Sequence, residues 1–280
     1  MNAPKIPGYL LLQRLGGGAI TSVYEARDEE TGAACAVKVL RDDIEDRATA
    51  IKLLQREARA GLALRHPHLV RVNQVHVLRE PYFLVLELLT GESLRTRLRR
   101  EYRLSIAEAL WITRQTAEAL ATIHAAGFIH GDVKPDNIRL LSASGVVLTD
   151  LGFTHRLGEN AAFLREGYLF GTVNYLAPEQ CEEWPIESYS TDLYSLGVTL
   201  FEMLTGVLPH PVGNLRETMR RLHSEPPTPI LEVRNDISPE LAHLVGQLLE
   251  REPEDRPHAS AVVSRLVRLE ILAMAHCRAG

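Results

Sequence analysis

His130-Gly131-Asp132-Val133-Lys134-Pro135-Asp136-Asn137, followed after twelve residues by Asp150-Leu151-Gly152, is the stretch on which both fold and chemistry turn. It brings two aspartates, an asparagine and a lysine to one pair of loops. Mg2+ prefers hard oxygen ligands and keeps few protein contacts, commonly one or two carboxylates plus phosphate oxygens. Asn137 and Asp150 suit that role beside ATP. Asp132 suits the acceptance of a hydroxyl proton or the orientation of a nucleophile, and Lys134 suits the offset of charge developing on a phosphoryl group.

Working upstream, the chain alternates short β-like stretches with glycine. Tyr9–Leu15 and Ser22–Arg27 flank Gly16-Gly17-Gly18, and Ala33–Leu40 follows a Thr31-Gly32 turn, a pattern that predicts antiparallel strands joined tightly. A glycine cluster by itself is more often a plain hairpin turn than a phosphate cradle. Its place between two strands, with Val23 after it and Lys38 fifteen residues beyond, favours the cradle. Lys38 lies in the apolar run Ala36-Val37-Lys38-Val39, an unfavourable place for a charge without a partner. The candidate partner is Glu57, on a predicted helix Ala48–Arg65 that His66-Pro67 stops. Snorkelling of the lysine and solvation of the glutamate stand as the plainer alternatives. Leu69–Val77 and Tyr82–Leu88 read as two further strands.

Downstream of about Leu89 the pattern turns helical. Ser105 opens a long helix with Glu108 placed for a capping box, and Gly127 ends it. Further helices are expected at Asp192–Thr205, Pro239–Leu249 and His258–Ala273, with Pro226, Pro227 and Pro229 in a loop between helices. The expected class is α+β with two lobes: residues 1–88 as a small antiparallel sheet with one main helix, residues 89–280 as a mostly helical part, and a cleft between them near Leu86–Gly91.

A formal net charge of -5 argues against binding nucleic acid through bulk charge. The three cysteines, Cys35, Cys181 and Cys277, show no CxxC spacing, which points to a reducing interior. No apolar run approaches the ~18 residues of a membrane span, and the first residues have no signal-peptide core. The expected location is cytoplasmic.

In their order along the chain these motifs resemble the protein kinase superfamily: the glycine loop, Ala-Val-Lys, the helix glutamate, His-x-Asp-x-Lys-x-x-Asn, Asp-x-Gly, Gly171-Thr172 and Ala177-Pro178-Glu179. The likeness covers roughly Tyr9 to Leu269, and its flavour is that of the eukaryotic-like Ser/Thr kinases of bacteria. It implies a bilobal kinase fold that transfers the γ-phosphate of Mg-ATP, with Mn2+ as a substitute metal, to Ser or Thr hydroxyls of protein substrates. By the resemblance, Leu15, Gly16, Gly18, Val23 and Ala36 cover the nucleotide, and the chain after Leu86 binds adenine through backbone groups of Glu87 and Leu89. Lys38, Glu57, Asp132, Lys134 and Thr172 are the implied catalytic set, with Asn137 and Asp150 as metal ligands. Glu179 would pair with Arg256, and Asp192 would hold the catalytic loop. Lys134, two residues after Asp132, and Thr172 both follow the Ser/Thr pattern, not the tyrosine one.

Four positions depart from the family. Thr21 stands where the loop's third glycine would be, and Leu151 replaces phenylalanine. Gly131 replaces the arginine that in the family neutralises a phosphate on the activation segment. Between Asp150 and Glu179 the hydroxyl residues are Thr154, Tyr168, Thr172 and Tyr175, with no serine. Activity independent of activation-segment phosphorylation is therefore expected. Gly61 stands where a bulky apolar residue would stack on Leu151, His130 and Val72. The expectation is a gap that lets the Glu57 helix swing out, closed in Gly61→Leu with a rise in basal activity, unless Leu62 or Leu64 fills it.

The arginines Arg95, Arg97, Arg99, Arg100 and Arg103 read as a solvated helix face or as a docking patch for acidic substrates. A pseudokinase or nucleotide-binding scaffold is the alternative function, resting on Gly61, Thr21 and Gly131. A small-molecule kinase is a third, disfavoured by the stretch from Gly171 to Glu179. Dimerisation is left open.

Overall fold

Glycine and alternating burial shape the first ninety or so residues into a single antiparallel sheet. The computed structural model describes residues 4–142, 145–160, 171–182 and 186–279. Strands β1 (Tyr9–Gly17), β2 (Thr21–Asp28), β3 (Ala34–Leu40), β4 (Val72–His76) and β5 (Phe83–Leu86) lie in the order β1-β2-β3-β5-β4. The central strand β3 is buried on both faces, so it reads as a continuous apolar run broken only by Lys38. Cys35, Val37 and Val39 pack on one side with Ile6, Tyr9, Ala26, Phe83 and Val85. Leu40 faces the other way, with Leu84 of β5, onto Ala50, Leu54 and Ala58 of helix α1 (Arg47–Ala63).

Helix α1 starts where Asp46 accepts a hydrogen bond from Thr49 N (3.0 Å), the ordinary capping arrangement. It ends at Ala63, earlier than the sequence predicts, because Leu64 is already extended. The next residues also depart from the predicted strand Leu69–Val77. Val70 N donates to Leu148 O and Leu148 N donates to His68 O, both at 2.9 Å, so this segment pairs across the molecule before β4 begins at Val72.

The gap expected at Gly61 does not exist. A Cβ on Gly61 would stand 2.1 Å from Cγ2 and 2.9 Å from Cβ of Val72. Helix α1 thus lies directly on β4, and Val72, not Leu62 or Leu64, fills the space. Leu62 points outward, 51% exposed. The premise for activating the protein with Gly61→Leu is overturned.

After the sheet the chain is mostly helical. Its elements are β6 (Gly91–Ser93), α2 (Leu94–Glu101), α3 (Ile106–Ala125), β7 (Phe128–Ile129), β8 (Ile138–Leu141), β9 (Gly145–Leu148) and β10 (His155–Arg156). Helices α4 (Ser190–Thr205), α5 (Leu215–Ser224), α6 (Ile230–Val233), α7 (Pro239–Leu248) and α8 (Ala259–Ala279) follow. β6-β8-β9 and β10-β7 form two small sheets. α4 is buried almost all round, the signature of a helix at the centre of a core. Around it pack Leu110, Ile112, Leu120 and Ile123 of α3 and Leu241, Leu244 and Leu248 of α7. Each such side chain contributes about 1.5–3 kcal/mol of burial. Among the described residues no helix is long and apolar enough to cross a membrane.

Ser105 caps α3 by accepting from Glu108 N (3.2 Å), but the Glu108 carboxylate turns to Arg97 (2.8 Å) instead of completing a capping box. Of the arginine run, Arg95, Arg97 and Arg100 form no free docking patch, whereas Arg99 and Arg103 are exposed, as a solvated face predicts. Arg95 contacts Asp136 (3.1 Å) and Glu202 (2.5 Å), Arg97 contacts Glu92 (2.7 Å), and Arg100 contacts Glu92 (2.8 Å). These three charges are spent inside the chain.

Candidate active site

Strand register builds the roof of the site. Directly opposed residues of an antiparallel pair project to the same face. Val23 opposes Lys38, and Ala36 opposes Leu86, with Lys38 and Ala36 two apart on β3. The side chains of Val23, Ala36, Lys38 and Leu86 therefore share one face of the sheet. Gly16 opposes Val23, and Cβ positions built on Gly16 and Gly18 meet no atom within 4 Å. Thr21 is buried as the first residue of β2, and its carbonyl accepts from Gly18 N (2.9 Å), which closes the loop tip. Leu15 is exposed at the end of β1. Beyond Leu86, the Glu87 N–H is already committed to Arg71 O (3.0 Å), leaving the Glu87 carbonyl and the backbone of Leu89 at the edge of the sheet.

On that face Lys38 is buried with two anionic partners. Its Nζ lies 2.7 Å from Glu57 Oε1 and 2.6 Å from Asp150 Oδ1. Burial alone would push the Lys38 ammonium down, but the charges of Asp150 and Glu57 outweigh it and raise its pKa. The Lys38 charge is the main reason that the Asp150 carboxyl is lowered to about 2. Glu57 goes the other way: burial lifts it, the Lys38 charge opposes, and Asp150 adds to the rise. Asp150 is held in the left-handed region (φ 63°), and its side chain stays 42% exposed. The three groups converge, since a Cβ placed on Gly152 would lie 3.1 Å from Asp150 Oδ1, 3.6 Å from Glu57 Oε2 and 3.7 Å from Lys38 Nζ.

The floor is a closed ring of hydrogen bonds around Asp132. Thr172 Oγ1 donates to Asp132 Oδ1 (2.8 Å), Lys134 Nζ lies 2.7 Å from Asp132 Oδ2, and Lys134 Nζ donates to Thr172 Oγ1 (2.5 Å). Asn137 Nδ2 donates to both the carbonyl and Oδ2 of Asp132 at 2.8 Å. Because the amide donors are committed there, the Asn137 side-chain oxygen is the atom left to meet a cation. Thr149 ties floor to roof: its N–H and hydroxyl both donate to Asn137 O, at 2.8 and 3.0 Å, one residue before Asp150.

Asp192 sets the backbone of this loop. It accepts from His130 N (2.8 Å) and Gly131 N (2.9 Å), and His124 Nε2 adds a third contact at 2.8 Å. Burial raises the Asp192 carboxyl, but His124 and the backbone donors hold it below its usual value. Gly131 sits at φ +81°, where a side chain is strained, and a Cβ there would come within 3.0 Å of Phe153 O. Glu179 and Arg256 form a buried bidentate pair at 2.6 and 2.7 Å. Of the four hydroxyl residues named above, Thr154 is buried against His130 O (3.4 Å) and Thr172 is in the ring. Tyr175 is buried and donates to Glu202 (2.6 Å), while Tyr168 lies outside the described residues.

Sequence reasoning missed His124, Arg56, Arg59, Glu159 and Glu187. Each acts on a partner far along the chain, and no local spacing announces it. Arg56 and Arg59 alone carried a signal, as two arginines three apart on the helix that bears Glu57.

A family model described as protein kinase domain matches residues 9–266. The chain is 34% identical over 266 residues to the serine/threonine-protein kinase PkaA of Streptomyces coelicolor, covering 90% of this chain and 48% of that one. It is 35% identical over 271 residues to the serine/threonine-protein kinase PknA of Mycobacterium tuberculosis, covering 92% of this chain and 62% of that one. Across the curated relatives it spans from 34% to 63% of their length. With the family match running from β1 into α8, the chain belongs to the protein kinase domain family.

Proposed function

We propose that this chain is a Ser/Thr protein kinase that transfers the γ-phosphoryl of Mg-ATP to Ser or Thr hydroxyls of proteins. Its own activation segment needs no phosphate. The observation that carries the proposal is the ring Asp132–Thr172–Lys134, closed by Asn137.

On this reading residues 1–88 form the nucleotide-covering part and residues 89–280 the part that carries catalytic and peptide-binding loops. Leu15, Val23, Ala36 and Leu86 enclose the adenine, and the carbonyl of Glu87 with the backbone of Leu89 reads its polar edge. Gly16 and Gly18 leave room for phosphates to approach backbone N–H groups. Lys38, oriented by Glu57, holds phosphate oxygens as a fixed charge. Asn137 and Asp150 are the residues that would hold Mg2+. The donor set fits, since Asp150 offers an accessible carboxylate and Asn137 an uncommitted amide oxygen, both hard ligands. When bound, the ion neutralises charge on the phosphate oxygens.

Asp132 orients the acceptor hydroxyl and takes its proton as the phosphoryl group moves. Lys134 offsets the charge that builds on the moving group, and Thr172 keeps both in register. Thr172 and Lys134 favour Ser or Thr acceptors. The pseudokinase alternative leaned in part on a gap at Gly61, and that support goes with the gap.

The test is incubation with Mg2+ and γ-labelled ATP on a generic basic protein, followed by phosphoamino-acid analysis. Label on serine or threonine that disappears in Asp132→Asn is the expected result. Label on tyrosine, or label unchanged in Asp132→Asn, would overturn the proposal.

A further inference from the structure

Glu57 reaches Lys38 only while α1 stays against the sheet, and the far side of α1 is tied down by groups outside the catalytic set. Arg56 and Arg59 lie three residues apart on α1, on the side facing the start of the activation segment. Arg56 Nη1 donates to Asn160 Oδ1 (2.6 Å), its Nη2 to Glu159 O (2.9 Å), and its Nε lies 3.4 Å from Glu159 Oε1. Arg59 donates to the same Glu159 carboxylate.

The segment is shaped to present that carboxylate. Glu159 N donates to Arg156 O (3.0 Å), and Arg156 N donates back to Glu159 Oε2 (2.9 Å). Asn160 is buried. A second acid fixes the turn from below: Glu187, just ahead of α4, accepts from Asn160 N (3.0 Å) and from Gly158 N. Two cations on α1 thus meet one anion on the segment, and a second anion anchors the segment to the helical part.

We propose that Glu159 is a built-in anionic latch: through Arg56 and Arg59 it clasps α1 to the activation segment and so holds Glu57 on Lys38, with no phosphate required. Glu159, Arg56 and Arg59 are positioning residues in this scheme, because none touches nucleotide or acceptor. The latch rests on the reading that the Lys38–Glu57 pair serves phosphoryl transfer. Burial pushes the Glu159 carboxyl up, but the Arg59 hydrogen bond, the Arg156 N–H and the charges of Arg56 and Arg59 leave it below its ordinary value. It stays anionic at neutral pH. Arg59 is 48% exposed, so its share is discounted for solvent, while the more enclosed Arg56 carries more.

The test is a double-mutant cycle on the whole chain with Glu159→Gln, Arg59→Gln and the double variant, plus Glu159→Asp as the conservative replacement. Two readouts are taken: kcat with KM for ATP, and hydrogen exchange of the α1 amides. Glu159→Gln should lose about tenfold in kcat and Arg59→Gln less, the double should lose little more than Glu159→Gln alone, and Glu159→Asp should recover part of the loss. Exchange at α1 should quicken in the single variants while the melting temperature stays within a few degrees. Unchanged α1 exchange with unchanged kcat would overturn the latch, as would additive losses in the double variant. If the parent chain transfers no phosphate at all, the functional reading fails, and α1 exchange alone still decides whether the clasp exists.

Discussion

Val72 occupies the space that any side chain at residue 61 would need, with its Cγ2 2.1 Å from the position of a Gly61 Cβ. Helix α1 rests on β4 through this contact, so the glycine is a condition of close approach and not a weakness in the Glu57 helix. Overpacking a tight core site costs about 1–3 kcal/mol. The helix-propensity gain from removing a glycine is about 1 kcal/mol. Gly61→Leu should therefore lower the urea midpoint and leave basal turnover equal or reduced. A stable variant with raised turnover would show that β4 can yield.

Acid should switch off transfer before it unfolds the protein. Glu57 has a folded pKa above its unfolded value, so its contribution to stability is present below the unfolded pKa and lost as pH rises through the folded one. Protonating it on acidification neutralises the Lys38 partner without weakening the fold. Asp150 is the reverse case: lowered to about 2, it contributes stability above its unfolded pKa that fades as pH falls toward about 2. The expected profile is a fall in kcat/KM on acidification that sets in at a higher pH than the fall in melting temperature. If both fall together over the same interval, Glu57 does not set the acid limb.

Phosphatase treatment should leave turnover intact. Thr154, Thr172 and Tyr175 are engaged inside the fold, and Gly131 offers no side chain to meet a phosphate. Gly131→Arg should not raise activity, because the backbone there is at φ +81° and an L side chain is strained, at a cost of about 1–3 kcal/mol. Intact-mass measurement of the treated protein beside its kinetics checks this. Complete loss of activity on dephosphorylation would contradict it.

Breaking the Glu179–Arg256 pair should be costly. Both side chains are buried, and the guanidinium also donates to the carbonyls of Glu250, Ser190 and Arg251. Removing one member of a buried pair costs about 3–5 kcal/mol, because the other charge is left uncompensated. Glu179→Ala should lower the denaturation midpoint accordingly and reduce transfer to protein acceptors. A midpoint within error of the parent would show the pair to be solvated in solution.

The parts of this molecule that were legible in its sequence are those with a local period or an ordered motif. β3 announced itself as an apolar run with one lysine, and α4 was expected as a helix over Asp192–Thr205. The pairing of Lys38 with Glu57 could be anticipated because one charge in an apolar strand demands another. What could not be read was who fills a space or neutralises a charge across long sequence separations. Gly61 looked like a missing side chain until Val72, eleven residues on, was seen to occupy its place. The arginines of α2 looked free until Glu202 and Asp136 were found against Arg95. Chain folding sets such partnerships, and sequence spacing carries no trace of them.

The claim on which everything else depends is that residues 38, 132, 137 and 150 enclose one metal-bound nucleotide. Titration of a fluorescent ATP analogue, with and without Mg2+, into the parent chain and Asp150→Asn tests it most directly. The account predicts that Mg2+ tightens binding to the parent and no longer does so in the folded variant. Equal Mg2+ dependence in both proteins would contradict it.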